Sequence, residues 1–591
     1  MRLFLLIFAF AIVSANAQYR RESWDLKPGW TAIYLNVDPG NDPLGILLAA
    51  NPDITDVWQW RPNGLDPSLN AISAGTGADE WKVWRRGDVA NSTFAIMSPN
   101  AAYLVRTKLT SLPQTLSFKG IVVAPRVQWR TDGLNLVGFP IKSGTTPQLN
   151  RYLGGAGIIG NNTEAYRYVG GDLDSNNPVL SPARLINAKR GEAFWIRSDK
   201  YSDFYGPVQV DVALDSGLNY GTGGSLNRVV LRNRTDREIV VTLAPAASEA
   251  PPGGGPIPLA PLLTTRERND EGFYLYSPLG AGLTVTLPAG EARGIALGVD
   301  RATMGGSPGD QFAGLLKVTD AEGYSEIYLP VTAEKTSLAG LWIGEARITQ
   351  VQNQLQRFQR GDDGDYLVDD DGKYLPEYQR NGAGEPVLDG AGEPIPLSDQ
   401  ELNDTAQTFK LKILVHVDAA GNAKLLSRAY AGIISDDGEG ATLAGITTQE
   451  SLLHADHLKT AVRLSCSHLP GDLVNPMSGT LAPGAMLSCN VVLGANDSSN
   501  PFLHTYHPDH DNKDARFENI LPSGIESHQV ERAITLTVKG AAGPGEGPQW
   551  GSTLLSGVYS ETITGIHKQA IATSGIFALG KVSDISVLQT P

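Results

Sequence analysis

Short runs of alternating apolar and polar residues, broken every few positions by Gly, Pro, Asn or Asp, recur along most of the chain. A period of two sends successive side chains to opposite faces of an extended backbone, so these runs predict strands with one packed face. Phe409, Leu411 and Ile413 alternate with Lys410 and Lys412. The run continues to Val417 and meets Asp418-Ala-Ala-Gly421, which predicts a hairpin whose first strand has a wet face. Arg228 to Asn233 and Glu238 to Leu243 flank a polar Arg-Thr-Asp-Arg turn and read as a second hairpin. Leu283 to Leu287, Gly294 to Val299, Phe312 to Val318 and Tyr324 to Val331 continue the strand-turn-strand order. Stretches with a helical period are few. The pattern predicts an all-β chain with several sandwich or barrel domains in tandem.

Two segments repeat one another. Gly29-Trp-Thr-Ala-Ile-Tyr-Leu-Asn-Val37 matches Gly133-Leu-Asn-Leu-Val-Gly-Phe-Pro-Ile141, and Val57-Trp-Gln-Trp60 matches Ala165-Tyr-Arg-Tyr168. Ala102-Tyr-Leu-Val-Arg106 matches Ala193-Phe-Trp-Ile-Arg197, and Phe118-Lys-Gly120 matches Phe204-Tyr-Gly206, each before a β-run. Matched blocks in one order indicate a duplicated module. The expected division is therefore a leader at 1–17, module copies at 18–126 and 127–210, an immunoglobulin-like sandwich at 211–335, and a C-terminal barrel or sandwich at 336–591. All nine histidines, from His416 to His567, and both cysteines lie in the last part, whereas eight of the ten tryptophans precede residue 196. Such a shift marks a domain of separate origin.

The leader follows from its order of residues. Arg2 precedes an apolar run from Leu3 to Val13 and then Ala15-Asn16-Ala17, the pattern of a secretory signal cut after Ala17. The run is too short for a membrane helix, which takes about 20 residues. No later segment is longer and apolar, so no membrane span is expected in the mature chain. Secreted or extracytoplasmic placement, in a periplasm or at a cell surface, is the expectation.

Composition and charge narrow the chemistry. A formal charge of −15 argues against nucleic acid, whose phosphates call for a basic surface. In an oxidising compartment Cys466 and Cys489, each within an expected strand, form the expected disulfide. His504, His507, Asp509, His510 and Asp511 could ligate zinc or another divalent ion from a loop, since Pro508 forbids a regular helix there. The bland alternative is a polar loop that satisfies its own amides. Asp362, Asp363, Asp365 and Asp369 to Asp371 could suit calcium, but the EF-hand position 12 falls on Lys373 or Arg380. Leu367 to Leu375 and Val387 to Ile395 instead repeat apolar runs about Asp-Gly and Ala-Gly turns, the pattern of β-hairpins. No cofactor is called for beyond that divalent ion, Zn or Ca. Trp58 and Trp60 share a strand face, as do Tyr166 and Tyr168; exposed they would stack on sugar rings, buried they are core, the commoner use. Neither a Gly-x-Ser-x-Gly elbow nor a Walker loop is present.

The duplicated blocks resemble a small β-module, Gly-Trp-Asn-Leu-Val-Gly-like at its opening and Gly-Tyr-Trp-Val-Arg-like at its close, of large secreted bacterial surface proteins. Leu287-Pro-Ala-Gly-Glu291 resembles a turn of bacterial immunoglobulin-like modules. Asn500-Pro-Phe-Leu-His-Thr-Tyr-His-Pro-Asp-His-Asp-Asn512, with its flanking strands, resembles the C-terminal region of uncharacterised exported multidomain β proteins of environmental bacteria. These resemblances imply a non-enzymatic binding, adhesion or scaffolding role, with carbohydrate or other surface proteins as partners. A carbohydrate-binding accessory protein is the alternative, and a metal-dependent hydrolase with its site in the C-terminal domain is a further one.

Overall fold

The computed structural model describes residues 18–61, 81–129, 133–157, 163–174, 176–198, 200–214, 216–224, 226–434, 443–454, 462–465, 474–495, 497, 500, 529–543, 545–565 and 570–590. The chain divides into two units. One runs to Thr336 and takes in Pro544–Pro548; the other comprises Ser337–Gly543 and Gln549–Pro591.

In the first unit the sequence repeat becomes a structural one. One sheet runs in the order Gly29–Tyr34, Ala102–Thr107, Ile54–Trp60, Trp81–Arg85. The other runs Gly133–Gly138, Ala193–Ser198, Glu164–Arg167, Val179–Pro182, so matched blocks take matched places. Register agrees too: Gly29 faces Thr107 and Gly133 faces Ser198. Each sheet packs one face on its own short helix, Leu44–Leu47 or Leu149–Leu153, around separate cores. Gly29, at φ +82°, is required where the copies approach: a Cβ there would lie 2.2 Å from the Gly171 carbonyl oxygen.

The copies diverge at their last block. Gln114–Val122 pairs with Tyr19–Leu26 and Val37–Asp38, whereas Val208–Val212 joins the sandwich that follows, Val208 facing Asn233.

That immunoglobulin-like sandwich has two five-stranded sheets. Val208–Val212, Leu226–Asn233, Ala292–Val299, Leu263–Arg268 and Tyr274–Pro278 form one; Leu218–Asn219, Glu326–Glu334, Gln311–Asp320, Ile239–Ala246 and Leu283–Leu287 form the other. The hairpin expected across the Arg-Thr-Asp-Arg turn is not one. Leu226–Asn233 and Ile239–Ala246 lie in different sheets, and the turn arches between them. Alternation shows only that each strand has one buried face. Those faces meet across the sandwich rather than side by side. Asn233 holds the arch: its side-chain amide donates to the Arg237, Leu287 and Pro288 carbonyls at 2.6, 3.0 and 2.9 Å.

The second unit contains a closed eight-stranded barrel and a four-stranded sheet. The barrel wall runs Gly340–Gln356, Ser398–Val417, Asn422–Leu426, Val474–Thr480, Met486–Leu493, Val530–Val538, Leu554–Thr564 and Ile571–Ser583. Eight strands enclose just enough space for side chains to fill, and Trp342, Leu411, Ile413, Leu487, Ile534 and Phe577 are among those in the core. The hairpin at Asp418 forms as expected, with His416 facing Lys424 and Gly421 N–H donating to Asp418 at 3.0 Å. Lys410 and Lys412 are exposed on its wet face.

Ile585 is bonded to this barrel: His416 is buried, its Nε2–H donating to the Ile585 carbonyl at 3.1 Å. Leu588–Gln589 then adds in parallel to Leu443–Thr447, at the edge of a separate four-stranded sheet. Nδ1 of His416 is buried without a hydrogen-bond partner among the described residues. Burial, with help from Lys424, holds the imidazole pKa below its ordinary 6.5, although the Ile585 carbonyl and Asp418 act the other way. The unfolded ring therefore takes up its proton at higher pH than the folded one, and the unfolded state binds more protons in that interval. Stability from this site is complete above about pH 6.5 and is lost as the pH falls toward the folded value. Melting of the wild type between about pH 7.5 and 5 should fall more steeply than that of His416→Gln, which keeps a donor for Ile585 but cannot charge. Parallel pH profiles of the two proteins would refute this.

Candidate functional site

The four aromatic residues marked in the repeat lie where the two module sheets face each other. Tyr168 is buried, and Trp58, Trp60 and Tyr166 are half-buried, packed on a core that includes Trp30, Trp81 and Trp195. Trp60 meets Trp195 edge-on at 4.9 Å, Trp81 meets Trp195 at 6.1 Å, and Trp30 meets Trp58 at 5.0 Å. The Trp195 Nε1–H donates to the Tyr168 hydroxyl at 3.1 Å, and burial pushes that hydroxyl up to about 12. Edge-to-face geometry uses the rings on one another, which is core packing. Each copy covers the aromatic face of the other.

A buried ionic cluster ties the modules to the sandwich. Arg190 donates to both carboxylate oxygens of Glu22 at 2.8 to 3.0 Å, and to the Ile141 and Glu326 carbonyls at 3.1 and 3.0 Å. Arg20 reaches Glu326 at 3.1 Å and lies 3.9 Å over the Tyr328 ring. Burial opposes the Arg190 charge, yet Glu22 and Glu326 leave its pKa above the ordinary value. Glu22 and Arg190 keep only 7% and 11% of their side chains exposed. This cluster is a clasp between elements distant in sequence.

Cys489 faces the barrel interior as a free thiol. Burial, reinforced by Glu561 and opposed by Arg532, pushes it up to about 11, so it stays protonated at neutral pH. Its expected disulfide partner, Cys466, lies outside the described residues, as do His504, His507, Asp509, His510 and Asp511. Among the described residues no cluster of His, Cys, Asp and Glu is arranged to hold a metal.

The acidic segment forms hairpins. Asp369 accepts from the Asp371 and Lys373 amides at 3.0 and 2.9 Å, and Asp389 accepts from those of Ala391 and Glu393, both at 2.9 Å. Asn381 and Asp418 make the same pair of bonds. These side chains cap their own turns, each closed by a glycine at positive φ, such as Gly372 at 78°.

Between the barrel strands Gly340–Gln356 and Ser398–Val417 these turns build a branched array over residues 357–397. Three backbone groups close a ring at its base: Arg357 N–H to Leu397, Leu397 N–H to Glu377, and Glu377 N–H to Arg357, at 2.9, 2.6 and 2.9 Å. Gln359, Leu375 and Leu367 close a second ring, and Gln379, Ile395 and Val387 a third, each carrying two hairpin tips. The sequence repeats every 20 residues to match: Phe358 and Tyr378, Gln359 and Gln379, Arg360 and Arg380, Asp369 and Asp389. The repeat of Leu367 to Leu375 as Val387 to Ile395 is part of this spacing.

The array has an unusual surface. None of residues 357–397 is buried, and Tyr366, Tyr374, Val368 and Leu388 are 44, 56, 51 and 56% exposed. Phe358, Tyr366 and Tyr374 form a three-ring cluster with centroids 5.3 to 6.1 Å apart. Arg360 lies 4.0 Å over Tyr366 and donates to its hydroxyl at 2.6 Å. Ten carboxylates stand against four cations in the segment, a formal −6. Exposed rings on a charged scaffold are a surface suited to binding.

No family model matches the chain. No curated protein matches it either. A solved structure from Bacteroides ovatus, described as of unknown function, is similar at 8% identity over 64% of this chain and 96% of that one. Its TM-score is 0.12, too low to carry an argument about fold or function.

Proposed function

We propose that this chain is an exported, non-enzymatic binding protein that holds a surface partner through the hairpin array at 357–397. The observation that carries this reading is the array itself: it adds no residue to the barrel core, yet turns rings and aliphatic side chains to solvent. A segment with that much exposed apolar surface has its use outside the fold. Export is supported by the leader pattern of Arg2, the apolar run from Leu3 to Val13 and Ala15-Asn16-Ala17.

Replacing residues 357–397 by Asn-Gly, a two-residue hairpin turn, should leave barrel stability within about 1 kcal/mol. The same variant should lose most of its binding to cell-envelope preparations of the producing cell. Equal binding by the full and shortened chains would overturn the reading. N-terminal sequencing of the exported protein should begin at Gln18.

A further inference from the structure

We propose that the Phe358–Tyr366–Tyr374 face of the array docks an extended, arginine- and lysine-bearing segment of a partner protein. This rests on the reading of the array as a binding element and adds the chemistry of its occupant.

The rings select the kind of contact. Phe358 meets Tyr366 edge-on and the two tyrosines tilt against each other 5.3 Å apart, with Tyr366 and Tyr374 still 44 and 56% exposed. An aromatic face attracts a cation through its quadrupole, and guanidinium also stacks on it. The array already makes this contact itself, with Arg360 over Tyr366. Tyr374 offers a second, more exposed ring, and Asp369, Asp370 and Asp371 precede it on the neighbouring exposed turn.

Charge selects the partner. The lobe at 357–376 carries six aspartates against three cations, and the lobe at 377–396 four acids against one. Each lobe is net −3, so the field has one sign across the array. A second copy of this chain, itself at −15, would be repelled. A neutral polysaccharide could stack on the rings but would leave the carboxylates unused. A cationic peptide uses both, and such pairing speeds encounter at low salt. The exposed apolar side chains Leu367 and Val368, 41 and 51% exposed, line the same lobe and suit the methylene stems of lysine and arginine.

The test uses the full mature chain and a fluorescein-labelled peptide of alternating arginine and glycine, followed by anisotropy. Tyr366→Ala/Tyr374→Ala should weaken binding by about tenfold, from the loss of two ring contacts. Tyr374→Phe, which keeps the ring, should restore most of what Tyr374→Ala loses. Asp362→Asn/Asp370→Asn/Asp371→Asn should weaken binding and flatten its salt dependence. Glu267→Gln/Asp270→Asn/Glu271→Gln removes as many charges from the sandwich and should change little. Melting curves establish that each variant is folded. The proposal is overturned if the ring variant binds as well as wild type, or if the sandwich variant loses as much as the array variant. It is also overturned if a neutral hexasaccharide of glucose or N-acetylglucosamine binds the array and the peptide does not. In that last case the binding role of the array survives. Loss of envelope binding without the array separates that role from the choice of partner.

Discussion

Arg190→Ala should destabilise the N-terminal unit by about 3–5 kcal/mol, seen as a lower denaturant midpoint at unchanged slope. The size follows from what would be left behind. Glu22 keeps 7% of its side chain exposed and receives three of its hydrogen bonds, at 2.8 to 3.0 Å, from this guanidinium. Removing the cation leaves a buried carboxylate with Arg20 at 3.4 Å, and the Ile141 and Glu326 carbonyls lose a donor. Removing both charges is a different matter. Glu22→Leu/Arg190→Met should cost clearly less than Arg190→Ala, because well-packed apolar groups replace a desolvated pair. A loss below about 1 kcal/mol for Arg190→Ala would show that the clasp does not hold the modules to the sandwich.

Trp195→Ala should cost a similar amount, about 3–5 kcal/mol, by opening a cavity between the two module sheets. Trp195 is wholly buried, meets Trp60 and Trp81 edge-on, and donates to Tyr168. Trp195→Phe should lose less, since it keeps much of the packing and gives up the hydrogen bond. Trp58→Ala should also lose less, because Trp58 is half-buried. Urea melts of the three variants test this order. Should Trp58→Ala prove the most damaging, the facing sheets would not be the main contact between the copies.

The array at 357–397 and the aromatic pairs show how far pattern reading reaches. The turns about Asp369 and Asp389 were legible because Asp and Gly at fixed offsets have a local reason to turn. The aromatics were legible as a shared strand face because the strand period is two. What covers that face was not, since Trp60 and Trp195 are 135 positions apart and no local rule joins them. The arch at Asn233 marks the same boundary: alternation gave its two strands, and only the sandwich placed them in different sheets.

By itself the sequence determined the all-β class, the duplicated module, the hairpin turns of the acidic segment and the export leader as an expectation, because each depends on residues near one another or on a short period. Tertiary structure alone decided that the copies bury their aromatic faces together, that Arg190 meets Glu22 across 168 positions, and that the rings of Phe358, Tyr366 and Tyr374 stay at the surface. Burial and charge pairing are sums over neighbours in space. Those neighbours exist only once the chain has folded.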